Sequence, residues 1–279
     1  MADDVRVVTP ELRYLTGAGG TRLAVREAGD PAGPPIVLLH GWGSSSLAWV
    51  NQLALAADHR LVALDLRGHG ESGTPDGGYD DPATWAGDVA AVLERTGPAV
   101  LVGWSYGGLV ITDYLRVHGS AKLNGVVLVG ALTEIGDHPG GEVGPAWDGI
   151  MRPALSADPA VAVPALATLA ADLTATPAPG PDVQRRLADM LRVPPAVRKA
   201  LFRRRLGSAD VLAAVSVPAL VVHGERDRVI SPRAAEYAAG KIPGASLRWF
   251  TNVGHLPFAE EADEFNAVLR AFAGSTTSH

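Results

Sequence analysis

The order of apolar segments in this 279-residue chain predicts an α/β protein built on one open, mostly parallel sheet. Short runs rich in leucine or β-branched residues, each ended by a glycine or a turn, alternate with amphipathic stretches of helical spacing. Runs such as IVLL, AVLV and ALVV are apolar at consecutive positions, which suits strands covered on both faces. Strand–helix–strand order then implies right-handed crossovers within a single sheet.

Along the chain, strands are predicted at Thr21–Glu27, Pro35–Leu39, Arg60–Leu64, Ala99–Val102, Asn124–Val129, Pro218–Val222 and Ser246–Phe250. Helices are predicted at Ser46–Ala57, Pro82–Arg95, Gly107–Val117, Pro232–Ala239 and Glu260–Phe272. Between Ala131 and about Ser216 the strand pattern stops and the text turns Ala/Pro/Leu-rich, with basic clusters. Residues 1–131 and 217–279 are therefore expected to form the core, with 132–216 an insertion. Pro159, Pro164, Pro177, Pro179, Pro181, Pro194 and Pro195 interrupt that insertion too often for one long helix, which predicts several short ones joined by turns.

Composition narrows the function classes. Hydrophobic residues make up 47% and charged residues 19%, a globular balance with enough apolar material for a large core. The formal net charge of −6 provides no broad basic field for nucleic acid or anionic lipid. With no cysteine there is no disulfide, thiolate metal site or cysteine nucleophile. Asp3 and Asp4 stand where a signal peptide carries positive charge, and no apolar run approaches the ~20 residues of a membrane span. A soluble, cytoplasmic protein is expected, acting on a small molecule without a nucleic-acid or membrane partner. Glycine and proline, at 32 and 21 residues, are in excess, and the glycines gather partly at the turns that carry the chemistry.

The strongest of these turns is AVLVGWSYGG, which sets Gly103, Ser105 and Gly107 in a G-x-S-x-G pattern between a buried strand and a helix. A serine at so tight a turn is strained, and the flanking glycines remove side chains that would collide there. The hydroxyl is lifted above the sheet edge, where the helix N-terminus offers free amides. Serine needs a base to act as a nucleophile, and the base needs an orienting acid. VVHGERDRV puts Asp227 after one strand and TNVGHLPF puts His255 after the next. Of the histidines that follow in chain order, His279 is the chain end, which leaves His255. His40, His69 and His223 occupy strand ends or loops and read more simply as structural. Glu225, and more remotely Glu134 or Asp137, remain alternative acids. For the oxyanion, the Tyr106 amide is one donor and the Trp42 amide, in the loop His40-Gly41-Trp42-Gly43, the second.

Two other features carry less. Gly68 to Gly73 spells G-x-G-x-x-G, but Thr74-Pro75-Asp76 follows where a dinucleotide site requires a helix. No metal-binding or phosphate-loop motif occurs, so no metal and no cofactor is expected. Arg203-Arg204-Arg205 reads as a solvated helix face.

With HGWG at 40, DLRGHGESG at 65, GWSYGG at 103, HGERD at 223 and GHLPF at 254, the sequence resembles the α/β-hydrolase superfamily from about residue 20 to 273. The resemblance implies an eight-stranded, mostly parallel sheet, a helical cap after the sixth strand, and catalysis by Ser105, Asp227 and His255. Haloalkane dehalogenases and epoxide hydrolases of that superfamily need an aspartate where Ser105 stands. What remains is cleavage of a small to medium apolar ester, lactone or thioester in the manner of an esterase or cofactor-free haloperoxidase. A carbon–carbon bond hydrolase and a non-catalytic receptor are the alternatives. The expected pocket lining from the cap is Trp147, Met151, Leu155, Met190, Leu191 and Phe202, which suggests an uncharged acyl group.

Overall fold

The computed structural model describes residues 9–276, so Asp3, Asp4 and His279 lie outside the described residues. Eight strands form one sheet: β1 (Glu11–Thr16), β2 (Arg22–Ala28), β3 (Pro35–Leu39), β4 (Arg60–Leu64), β5 (Ala99–Trp104), β6 (Leu123–Val129), β7 (Ala219–Gly224) and β8 (Ser246–Phe250). Their order across the sheet is β1-β2-β4-β3-β5-β6-β7-β8. β2 pairs antiparallel with both β1 and β4, and all later neighbours are parallel. Every residue of β5 and of β7 is buried, the signature of strands covered on both faces.

The sequence reading had seven of these strands and lacked β1. Leu12 and Tyr14 of that strand are exposed, so β1 is held as an edge by backbone pairing to β2 and not by an apolar face. The stretch Ser46–Ala57 is a second difference, because it is wound as 3-10 turns, broken by a non-helical backbone at Trp49, and not as one α-helix. Its buried residues Ser46, Trp49, Gln52 and Leu55 recur every three positions, which is the 3-10 repeat.

Core helices are α1 (Pro82–Thr96) and α2 (Tyr106–His118), while the segment between β6 and β7 carries α3 (Met151–Ala154), α4 (Pro159–Asp172), α5 (Gly180–Arg192), α6 (Pro195–Leu201) and α7 (Ala209–Ala213). After β7 come α8 (Pro232–Lys241), α9 (Pro257–Glu260) and α10 (Ala262–Thr276). Pro159, Pro181 and Pro195 each sit in a helix's first turn, where the missing amide costs nothing. Pro164 departs from the expected punctuation, since α4 continues through it.

The inter-strand segment is tied to the core through a buried ion pair. Arg204 Nη2 donates to Asp113 Oδ1 of α2 at 2.6 Å, and Arg204 Nη1 donates to the Tyr106 hydroxyl at 3.2 Å. The reading of residues 203–205 as a solvated helix face is corrected here. These residues lie outside any helix, and Arg204 turns inward to 4% exposure because α2 offers it a buried carboxylate. No helix among the described residues is long and apolar enough to cross a membrane.

Candidate active site

Ser105 stands between β5 and α2 with φ 54° and ψ −118°, a left-handed backbone that among described non-glycine residues only Asn252 shares. Strain of this kind persists only where neighbours enforce it. Its amide donates to Val129 O at 3.0 Å, and its carbonyl accepts from Leu132 at 3.1 Å and Gly108 at 3.0 Å. A Cβ at Gly103 would stand 2.6 Å from Gly107 O, and one at Gly107 would stand 2.5 Å from Leu39 O. The two flanking positions therefore admit no side chain, which is the physical content of the motif.

Asp227 and His255 follow β7 and β8, and they meet. His255 Nδ1 lies 2.7 Å from Asp227 Oδ2, while Asp227 Oδ1 accepts the amides of Val229 at 2.8 Å and Ile230 at 3.0 Å. Burial alone would raise the Asp227 pKa, but His255, the adjacent His223 and the Ile230 amide outweigh it and hold the carboxyl below its ordinary value. An ionised Asp227 makes Nδ1 the protonated nitrogen of a neutral His255 and leaves Nε2 as the basic one. Ser105 makes no hydrogen bond to His255, but both open on the same cavity. Glu225 is exposed, Asp137 pairs with Arg205 at the surface, and Glu134 is committed to Ser208, Gly140 and Tyr237.

Gly130 forms the floor beneath the pair. It has φ 48°, and a Cβ there would stand 3.1 Å from His255 Nδ1 and 3.3 Å from Asp227 Oδ2. Gly130→Ala is expected to lower turnover by about a hundredfold by displacing the pair. Steady-state kinetics on a variant with unchanged circular dichroism checks this.

The loop carrying Trp42 is pinned by two buried imidazoles. His40 Nδ1 lies 2.8 Å from Gly41 O and its Nε2 accepts the Leu66 amide at 3.0 Å. His69 Nε2 accepts the Gly43 amide at 3.3 Å, with Nδ1 3.0 Å from Arg67 O. The Trp42 amide donates no hydrogen bond among the described residues, and the Tyr106 amide opens α2 with no carbonyl a turn behind it. Gly41, which precedes Trp42, is so close to Ser105 that a Cβ there would stand 2.9 Å from Ser105 Cβ, and Tyr106 follows Ser105 directly.

Burial pushes His69 down to about 3, from 6.5, and also lowers His40 and His223. An unfolded histidine takes up its proton near 6.5, whereas the folded His69 refuses it until near 3, so stability present at neutral pH is lost as pH falls through that window. Urea midpoints are expected to drop steeply between pH 7 and pH 5, with each resisting histidine worth up to about 1.4 kcal/mol per pH unit. A flat midpoint over that range would contradict this.

The cavity measures about 580 Å³ and is lined by Ser105, His255, Trp42, Trp104, Leu169, Phe258 and others. Of the six lining residues expected from the inter-strand segment, Trp147 and Met190 line it. Leu191 is 46% exposed, because adjacent positions on α5 point about 100° apart. Met151 and Leu155 pack half-buried against the apolar core, and Phe202 packs on the Trp42 and Trp147 rings, so none of these three reaches the cavity. The expectation of an aliphatic, uncharged lining is corrected as well: α5 contributes Asp182, Arg185, Arg186, Asp189 and Arg192.

Three further residues support the pair, of which the sequence singles out only His223, as structural. Glu260 accepts the amides on both sides of His255, from Gly254 at 3.0 Å and Leu256 at 3.2 Å, and also the Ala175 amide at 2.8 Å. A carboxylate five residues after the histidine was the available signal. Trp104 Nε1 donates to His255 O at 3.0 Å. His223 Nε2 lies 3.4 Å from Asp227 Oδ2, and its Nδ1 is buried without a partner among the described residues.

Known proteins match both sequence and fold. A pimeloyl-[acyl-carrier protein] methyl ester esterase of Neisseria meningitidis is 32% identical over 244 residues, covering 85% of this chain and 92% of that protein. A non-heme haloperoxidase of Rhodococcus erythropolis is 28% identical, covering 94% and 99%. The crystal structure of the esterase RhEst1 from Rhodococcus sp. ECU1013 superposes with a TM-score of 0.91 at 43% identity, covering 95% and 99%. The profile of the alpha/beta hydrolase family matches residues 36–268, and with that span and these relatives the chain belongs to the alpha/beta hydrolase family.

Proposed function

We propose that the chain hydrolyses a small to medium carboxylic ester through an acyl-enzyme on Ser105. One observation carries this reading: a strained serine at a helix N-terminus opens on the same cavity as a histidine bonded at 2.7 Å to a buried aspartate. His255 Nε2 takes the Ser105 proton as the oxygen attacks the ester carbonyl, and the Trp42 and Tyr106 amides receive the oxyanion. The alcohol leaves with the proton from His255. Water, deprotonated by the same nitrogen, then releases the acid, while Asp227 orients the ring and balances its charge. Residues 132–216 serve as the cap over this site, contributing Trp147, Leu169 and Met190 to its wall. The relatives, a methyl ester esterase and the esterase RhEst1, support ester chemistry here. The soluble, cytoplasmic setting belongs to the same proposal.

The test is a fluorophosphonate probe with mass spectrometry, run beside a graded panel of p-nitrophenyl esters. An adduct on Ser105 together with ester turnover is the expected result. Absence of both would leave a ligand-binding protein, and cleavage of a vinylogous diketone without ester turnover would transfer the same residues to carbon–carbon hydrolysis.

A further inference from the structure

Helix α5 directs a charged stripe at the cavity. Asp182, Arg185, Arg186, Asp189 and Arg192 recur at helical spacing and all line it, while Met190 is buried and Val183 and Leu187 pack against the core. Four of the five charges are committed elsewhere. Arg185 pairs with Asp182, Arg192 pairs with Glu71 at 2.6 Å, and Asp189 accepts the Ser45 hydroxyl at 2.8 Å.

Arg186 differs from these. It makes no hydrogen bond and no ion pair among the described residues, and its Nη1 is buried without a partner. Burial lowers its pKa, with Asp182 and Glu260 the acidic groups near enough to oppose that and Arg185 adding to it. Neither acid bonds Arg186 directly, since Asp182 holds Arg185 and Glu260 accepts three backbone amides. An unpaired, partly desolvated guanidinium is costly unless a ligand supplies the opposite charge, and its planar fork fits a carboxylate.

We propose that Arg186 binds a carboxylate on the substrate, so that the ester cleaved at Ser105 is a half-ester of a dicarboxylic acid. This rests on the reading of Ser105 as nucleophile. Ser105 displaces the alcohol from the ester carbonyl, water then hydrolyses the Ser105 acyl ester, and the product is the free dicarboxylate with Ser105 regenerated. The apolar wall of Trp42, Leu169 and Phe258 accommodates the methylene chain between the two ends.

The experiment compares monomethyl esters of dicarboxylic acids of increasing length with the corresponding uncharged half-amide methyl esters. The wild-type chain is expected to favour the carboxylate member by at least about tenfold in kcat/KM at one chain length, because Arg186 and Ser105 line the same cavity and only one length bridges them. That ratio falls towards one in Arg186→Met and is kept in part by Arg186→Lys. A ratio of one in the wild type, or a ratio unchanged in Arg186→Met, overturns the proposal even where ester cleavage remains Ser105-dependent. If neither ester is cleaved, the reading of Ser105 fails separately. Adipate binding then decides for Arg186: thermal stabilisation of Ser105→Ala by adipate, lost in Ser105→Ala/Arg186→Met, supports the site, and equal stabilisation of both overturns it.

Discussion

Ser105→Ala is expected to reduce kcat/KM for a short-chain p-nitrophenyl ester on the order of 10⁴-fold or more, and to abolish fluorophosphonate labelling. The substitution removes the proposed attacking oxygen but leaves the 2.7 Å His255–Asp227 contact and the Trp42 and Tyr106 amides in place. The residual rate reports what those donors achieve with water alone. Alanine removes only the hydroxyl and keeps the Cβ already carried at φ 54°, so the variant is expected to unfold at the wild-type urea midpoint. A wild-type rate in Ser105→Ala would remove the nucleophile assignment. Loss of rate together with a collapsed midpoint would instead make the serine structural.

Arg204→Met is expected to destabilise the fold by about 3–5 kcal/mol, the effect of stripping one partner from a buried ion pair. Asp113 is fully buried, its Oδ2 already lacks a partner, and burial pushes its carboxyl up to about 6 against the pull of Arg204. At neutral pH it is held ionised by Arg204, and without the guanidinium this α2 carboxyl is left buried either as an uncompensated charge or, once protonated, as an unpartnered acid. Adding Asp113→Leu to Arg204→Met is expected to recover a large part of the loss, because packed apolar groups replace such pairs at little cost. Equilibrium urea unfolding of the single and double variants measures this, and additive losses would contradict it. Arg204 also bonds the hydroxyl of Tyr106, whose amide is a proposed oxyanion donor. Turnover in Arg204→Met is therefore expected to fall further than the folded fraction alone accounts for.

The legible parts of the molecule share one property, which is short range. IVLL, AVLV and ALVV announce buried parallel strands because burial on both faces leaves no polar alternation. Gly103 and Gly107 announce a turn around Ser105 because a backbone oxygen stands within 2.6 Å of where either Cβ would lie. β1 escaped because its hold on the sheet is backbone pairing, which leaves no mark on side-chain pattern. The burial repeat of 46, 49, 52 and 55 leaves no apolar pattern in the sequence, because Ser46 and Gln52 are polar side chains that only the packing buries.

By itself, then, the sequence determined the sheet's parallel strands, the strained serine turn, and the chain order in which Ser105, Asp227 and His255 follow their strands. Local sterics and burial periodicity suffice for those. Tertiary structure alone decided that Arg204 would turn inward to an aspartate 91 residues earlier, and that Glu260 would hold the amides flanking His255. It also decided that the charged residues of α5 would border the cavity, with Arg186 unpaired among the described residues. The reason is that an amphipathic pattern fixes that a helix has two faces, whereas which face meets the cavity depends on how a segment of some 90 residues docks over the sheet edge.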